Sequence, residues 1–255
     1  MQVLLIDGLN LIRRIHAGVR RLEDLETNSQ SVEEACVNSL SRALRYHHPS
    51  HVVCAMDSEA PSWREALFPE YKKNRHPMPG DLRSQLGRII SRFGSLNVRT
   101  VLVDGFEADD VIASVARQVV AAGSIATILS TDKSFCQLIS DYVHVYDHFA
   151  SRQHDRDYVR QKFGVEAAQI PDLFALAGDS SLNISGARGI GLRTAEKLLG
   201  EYGNLESVLG AVKDISASWA KKIRDSEESV RLALCLFTLR SDVSVGANLR
   251  DFRIK

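Results

Sequence analysis

The chain has 255 residues, 44% hydrophobic and 25% charged, with 32 Lys+Arg against 32 Asp+Glu and a formal net charge of zero. That balance excludes a disordered or polybasic protein and allows one large domain, or a large one with a small companion. No run approaches the ~18 apolar residues of a membrane span, and Cys36, Cys54, Cys136 and Cys235, far apart among apolar neighbours, read as reduced core residues of a cytoplasmic protein.

Residues 2–6 are a buried-strand run, too short for a signal peptide, that stops at Asp7-Gly8. A helix carrying Leu9, Leu11, Ile12 and Ile15 follows, together with Arg13 and Arg14. Residues 19–31 are polar and loop-like, and 32–46 have helical spacing until His47-His48-Pro49 ends it. His47, His48 and His51 flank that proline and read as solvated loop histidines. The second apolar run, Val52–Met56, ends in Asp57; the third, Val101-Leu102-Val103, leads to Asp104 and then Glu107, Asp109 and Asp110. The fourth, Ala126–Leu129, closes on Ser130-Thr131-Asp132-Lys133, and helical patterns at 84–93 and 111–122 separate the later runs. Val143–Tyr146 reads as an edge strand. Strands alternating with helices imply an α/β fold whose mostly parallel sheet carries helices on both faces.

In such sheets ligands bind beyond the carboxyl ends of the strands, and here every one of those ends delivers a carboxylate. One Asp at a strand-to-helix turn is ordinary capping chemistry. Repetition at all four ends instead builds a pocket of like charges that needs a cation. An all-oxygen donor set suits magnesium, with manganese as substitute, and no Cys/His set suggests zinc. Between Asp57 and the next strand, residues 60–82 mix bases, aromatics and prolines: Trp63 to Arg92 holds seven Lys/Arg against three Asp/Glu. This stretch reads either as a solvated amphipathic helix or as a mobile basic arch over the acids, and its position favours the arch.

From residue 158 the chain reads as helical. Helical patterns at 158–164 and 170–179 precede Ser185-Gly186-Ala187-Arg188-Gly189-Ile190-Gly191-Leu192-Arg193-Thr194, and a helix opens at Ala195. Helix, Gly-rich turn, helix is a phosphate grip, because the glycines admit the backbone and the first-turn N–H groups face the anion. The glycine order G-x-x-G-x-G and a preceding helix speak against a dinucleotide fingerprint, and no Gly-Lys-Ser/Thr supports a Walker loop.

Together these residues resemble the 5′-nuclease, or flap endonuclease, family, which includes the nuclease domain of bacterial DNA polymerase I and stand-alone bacterial enzymes of the Xni type. The resemblance runs through Asp7-Gly8 with Arg14, Asp57, Tyr71-Lys72-Lys73-Asn74-Arg75, Glu107-Ala108-Asp109-Asp110, Thr131-Asp132-Lys133 with Gln137-Leu138, Leu176-Ala177-Gly178-Asp179, Gly189-Ile190-Gly191 and Leu239-Arg240-Ser241-Asp242. With no polymerase part attached, the stand-alone type matches best. It implies a PIN-like nuclease domain over 1–157 and a helical DNA-binding region of 5′-3′ exonuclease type over 158–255. It also implies a magnesium-dependent, structure-specific cleavage of branched or flapped DNA by a monomer in replication or repair.

By the same resemblance Asp7, Asp57, Glu107, Asp109, Asp110 and Asp132 surround the first metal, and Asp132 and Asp179 serve the second. Lys72 and Arg75, with Arg14, neutralise the scissile phosphate. A potassium ion on the carbonyls of Leu176, Ala177, Ser185, Ala187 and Ile190 holds the duplex. DNA contacts fall on Tyr71, Lys73, Gly189, Ile190, Gly191, Leu192, Arg193 and Thr194. The chain departs from the family pattern at Ser134 and Leu182, where carboxylates usually stand, and at Ser185, usually proline. The first two imply one firm magnesium and a weak second. A non-catalytic binder of branched DNA and a PIN-type ribonuclease are the rival readings.

Overall fold

The apolar runs become β1 (Gln2–Asp7), β2 (His51–Ala55), β3 (Arg99–Val101), β4 (Ile125–Leu129) and β5 (Val143–Asp147), joined by β6 (Arg152–His154). In this computed structural model, which describes residues 1–19, 25–213 and 215–254, they form one sheet in the order β3-β2-β1-β4-β5-β6, parallel except for β6. Side chains alternate across it as strand geometry requires. Leu4, Ile6, Val52 and Cys54 pack on one face against α1 (Gly8–Gly18), α2 (Leu25–His47) and α4 (Gly80–Ser95). Val3, Leu5, Val53 and Ile128 pack on the other, against α5 (Ala108–Ala121) and the C-terminal helices. A parallel sheet needs both faces covered, and the mostly parallel α/β architecture read from the sequence is the one observed.

Several local expectations give way. The edge is β6, not β5, because a tight turn at His148–Ser151 folds three further residues back on Val145–Asp147. Leu102 and Val103 lie outside β3, which pairs with β2 over three residues only. The expected loop at 19–31 is helix from Leu25 onward, its part at 20–24 lying outside the described residues. His51 is a buried first residue of β2, and His47 packs edge-on against Tyr146, so two of the three histidines are not solvated. Cys36, Cys54 and Cys136 are buried and free, but Cys235 is exposed on α11 (Glu227–Phe237): apolar sequence neighbours do not fix which helix face a residue takes.

Among the described residues the chain beyond β6 is helical, with α6 (Arg156–Phe163), α7 (Ile170–Ala177), α8 (Leu192–Tyr202), α9 (Leu205–Gly210), α10 (Ala217–Asp225) and α11. The second helix of the glycine motif opens at Leu192, three residues before the expected Ala195, because Gly191 is its N-cap. No described helix is long and apolar enough to cross a membrane. Between α7 and α8 the backbone meets itself. Gly178 is left-handed (φ +75°), and a Cβ on Gly186 would lie 2.3 Å from the Leu176 carbonyl oxygen and 2.4 Å from the Gly178 nitrogen. Only glycine fits such an approach. Gly186→Ala is therefore expected to cost roughly 3 kcal/mol in urea denaturation and to weaken binding of a flapped duplex. Unchanged stability would count against this packing.

Candidate active site

Parallel pairing sets Asp7 beside Ala55 and Ile6 beside Leu129. The residues just past β2 and β4 thus rise next to Asp7 at the carboxyl end of the sheet, where the chain passes from one side of β1 to the other. A cleft of about 230 Å³ opens there, lined by Asp7, Asp57, Asp109 and Asp132 together with Glu107, Asn10, Arg13, Arg14, Lys72 and Arg75. A wider groove of about 650 Å³ adjoins it below the arch and shares Arg13, Asp57, Lys72, Arg75 and Glu107.

Each of the four aspartates is anchored locally. Asp7 caps α1, accepting from the Asn10 N–H at 3.1 Å, and accepts from the Ser130 hydroxyl at 2.8 Å. Asp57 accepts from the Ala108 N–H at 2.8 Å, capping α5 from another strand. Asp132 accepts from the Ser134 N–H at 2.8 Å, and the Ser134 hydroxyl donates to Asp109 at 3.1 Å. Burial, opposed by the bonds from Ser130 and Asn10 and reinforced by Asp132 and Asp57, raises Asp7 to about 7. Burial, then Asp132 and Asp7, pushes Asp109 well above the ordinary carboxylate range. Carboxylates that raise one another in this way suit a divalent cation, whose charge reverses the repulsion. Among the described residues no three acid, histidine or cysteine groups are already drawn into a ligand cage; the four line one cleft without closing on one point.

The other expected ligands are already engaged by cations. Asp110 is completely buried and faces away: Arg64 grips both its oxygens at 2.7 and 2.8 Å, and the Trp63 indole and the Arg240 N–H complete its shell. Glu107 lines the cleft, but its oxygens already accept from Lys72, from Arg64 at 2.8 Å and from the Tyr71 hydroxyl at 3.1 Å. Burial alone would raise Glu107; Lys72 and Arg64 more than offset it and hold it below the usual range. Asp179 pairs with Lys133, away from the cleft.

The cations divide similarly. Arg14 donates to the Thr131 hydroxyl at 3.3 Å and lies over the Phe149 ring. Lys72, in the left-handed region at φ +56°, and Arg75 line the cleft from the arch. Among the described residues that arch is α3 (Trp63–Leu67) followed by turns, and it is pinned: the Lys72 N–H donates to the Leu182 carbonyl at 2.9 Å and the Asn183 amide to the Glu70 carbonyl at 2.7 Å. Tyr71 is buried under the cleft wall instead of presenting its ring, while Lys73 is exposed beside Glu70. Arg64, taken with the basic stretch, is 2% exposed. The capping box Ser62-Trp63-Arg64-Glu65 was the signal that this segment docks as a helix. Asn10 was also missed; its side-chain oxygen accepts from the N–H and hydroxyl of Thr131 at 3.3 and 3.1 Å, tying α1 to the loop after β4.

At the glycine motif, Gly189 takes φ +75° and its carbonyl accepts from Lys222 at 3.2 Å. Leu192 and Arg193 are exposed at the start of α8, with Thr194 half-buried behind them. The Leu176 and Ala187 carbonyls accept backbone N–H groups at 2.8 and 2.9 Å, and each retains a second lone pair.

Residues 2–164 match the family model described as 5′-3′ exonuclease, N-terminal resolvase-like domain, and residues 165–255 match 5′-3′ exonuclease, C-terminal SAM fold. The chain is 40% identical over 250 residues to the Flap endonuclease Xni of Shewanella sp. (strain W3-18-1), covering 98% of this chain and 94% of the relative. It is 38% identical over 266 residues to that of Colwellia psychrerythraea (strain 34H), covering 99% and 91%. Among solved structures, T5 5′-exonuclease with divalent metal ions (zinc) bound superposes with a TM-score of 0.80 at 20% identity, over 93% of this chain and 89% of that one. The catalytic core of Rad2 in complex with DNA substrate gives 0.58 at 13%, over 96% and 80%.

Proposed function

The chain belongs to the 5′-3′ exonuclease family, and from that premise we propose that it is a structure-specific flap endonuclease hydrolysing DNA phosphodiesters at single-strand/double-strand junctions. The observation that carries this reading is the cleft where Asp7, Asp57, Asp109 and Asp132 from separate elements meet Arg14, Lys72 and Arg75. The four aspartates would hold a divalent ion, magnesium by their oxygen chemistry and manganese as its substitute. When bound, such an ion supplies an activated water and stabilises the leaving oxygen.

The remaining steps belong to side chains. Lys72 and Arg75 place positive charge on the arch side of the cleft, and Arg14, steadied by Thr131 and Phe149, adds a third cation from α1. Together they offset the scissile phosphate's charge and hold it against the acids. Glu107 restrains Lys72 and stands behind the ligand set; Asp110 supports it from below through Arg64. At the start of α8 the backbone N–H groups of Gly189, Gly191, Leu192 and Arg193 would face the duplex phosphates, whereas those of Ile190 and Thr194 are already donated to the Ala187 and Gly191 carbonyls. By the family resemblance, the carbonyls of Leu176, Ala177, Ser185, Ala187 and Ile190 would hold potassium there. Ser134 and Leu182 leave any second divalent site short of carboxylates, so one ion is firm and the second weak. One chain supplies every group named, so a monomer suffices, and the three buried free thiols suit a reducing cytoplasm.

A labelled 5′-flap duplex tests the proposal. We expect cleavage near the junction with magnesium and none with EDTA, and affinity that falls steeply with salt because the grip is on phosphates. Binding without cleavage would make the chain a non-catalytic binder of branched DNA. Preferential cutting of a matched RNA flap would favour a ribonuclease.

A further inference from the structure

Beyond the acid cleft, Asp132 also borders a small apolar space of about 20 Å³, whose other walls include Lys133, Ser134, Gln137, Leu182 and Phe237. That is room for about one water. Asp179, 9% exposed, does not line this space but is joined to it through Lys133, which does. An ion pair already counters the charge of Asp179, although its buried Oδ2 receives no well-directed hydrogen bond. The Lys133 ammonium lies 2.6 Å from Oδ2, and the N–H and hydroxyl of Ser181 donate to Oδ1 at 2.8 and 2.7 Å. The ammonium is further fixed 4.4 Å from the centroid of the Phe174 ring, a favourable position for a cation. Lys133 and the Ser181 donors together hold Asp179 below the ordinary carboxylate range against the effect of burial.

Resting on the metal-dependent reading above, we propose that Lys133 is the resident cation of this flank: its ammonium occupies Asp179 and excludes a second divalent ion. The two sides of Asp132 are then served by different positive charges. On the cleft side, Asp7, Asp57 and Asp109 lie within reach of an exchangeable ion. On the other, a covalently tethered cation pairs with Asp179, while the Ser134 hydroxyl hydrogen-bonds Asp109 and a leucine fills the wall. A tethered ammonium cannot dissociate, so it competes with a dissolved ion at any concentration. The weakness of the second site is thus an occupied carboxylate as much as missing ones. Lys133 is in this sense a positioning residue, acting on the metal count through Asp179.

Manganese titration of the full chain, read by the electron paramagnetic resonance of free ion, decides the matter without measuring cleavage. Lys133→Met is expected to bind one more manganese than the wild type, about tenfold or more tighter than any second ion the wild type takes up. The extra ion should vanish in Lys133→Met/Asp179→Asn, and Lys133→Arg, which retains the charge, should match the wild type. An equal ion count in wild type and Lys133→Met, with both folded by circular dichroism, overturns the proposal, as does an extra ion that survives Asp179→Asn. Failure of the functional reading looks different: a wild-type affinity for the first ion that Asp109→Asn leaves untouched would sink that reading. The difference between Lys133→Met and wild type would still be measured.

Discussion

Asp109→Asn is expected to lower the rate of flap cleavage by at least about 10²-fold, the scale of removing one preorganised charge-stabilising group, while the folded protein still binds branched DNA. Asparagine retains an oxygen for the Ser134 hydroxyl, so the loop after β4 should keep its place and only the charge is lost. In EDTA the same substitution should raise the melting temperature, because Asp109 is pushed up by burial and by Asp132 and Asp7. Removing one member of a mutually repelling group relieves the others. Asp7 sets the accompanying pH dependence. Its value in the fold, about 7, lies above the ordinary 3.8, so the folded state binds its proton more tightly than the unfolded one. That contribution to stability is complete at pH below the ordinary value and is lost as pH rises through about 7. Thermal melts of metal-free protein should show this decline, and magnesium at neutral pH should reverse it. A metal-free melting temperature that rises across that window would contradict the reading of the cleft.

Arg64→Met carries the largest expected cost in stability, about 3–5 kcal/mol in urea denaturation. The guanidinium is 2% exposed and reaches Asp110, Glu107 and the Leu236 carbonyl, each within 2.8 Å. Methionine fills much of the volume but strands a buried carboxylate beside the first turn of α5. Arg64→Lys should recover only part of the loss, since an ammonium cannot reproduce a planar fork that spans two carboxylates. Arg64→Met/Asp110→Leu should be more stable than Arg64→Met alone, because the stranded charge goes with its partner. A single mutant within about 1 kcal/mol of wild type would show that the buried network contributes little.

The course of β1, β2 and β4, and the acids at their ends, was legible because a parallel strand buried on both faces reads as an unbroken apolar run, and the first polar residue after it marks the sheet edge. The division of labour among Glu107, Asp109 and Asp110 was not legible. Successive helix residues turn by ~100°, so adjacent aspartates at 109 and 110 cannot both face one cleft. The sequence does not say which of them turns inward until the docking of α3 brings Arg64 beneath α5. The same limit applies to Tyr71 and Cys235, whose neighbours suggested a role that their helix or turn then pointed elsewhere. Lys133 was visible as part of a motif. Its pairing with Asp179 joins residues 46 positions apart by number and depends on how α7 and the turn after it settle beside β4.

The buried arginine also bears on how the molecule comes apart. Its side chain binds the last carbonyls of α11, the Arg240 N–H donates to Asp110, and the Val243 N–H donates to the Ser114 hydroxyl within α5. Gln137, just after β4, exchanges hydrogen bonds with Phe237 and Leu239. The C-terminal strap is therefore stitched into the sheet domain at the helix that carries Asp109. Heating should accordingly give a single calorimetric transition, and a chain truncated at the junction between the two family models should not yield an independently folded fragment.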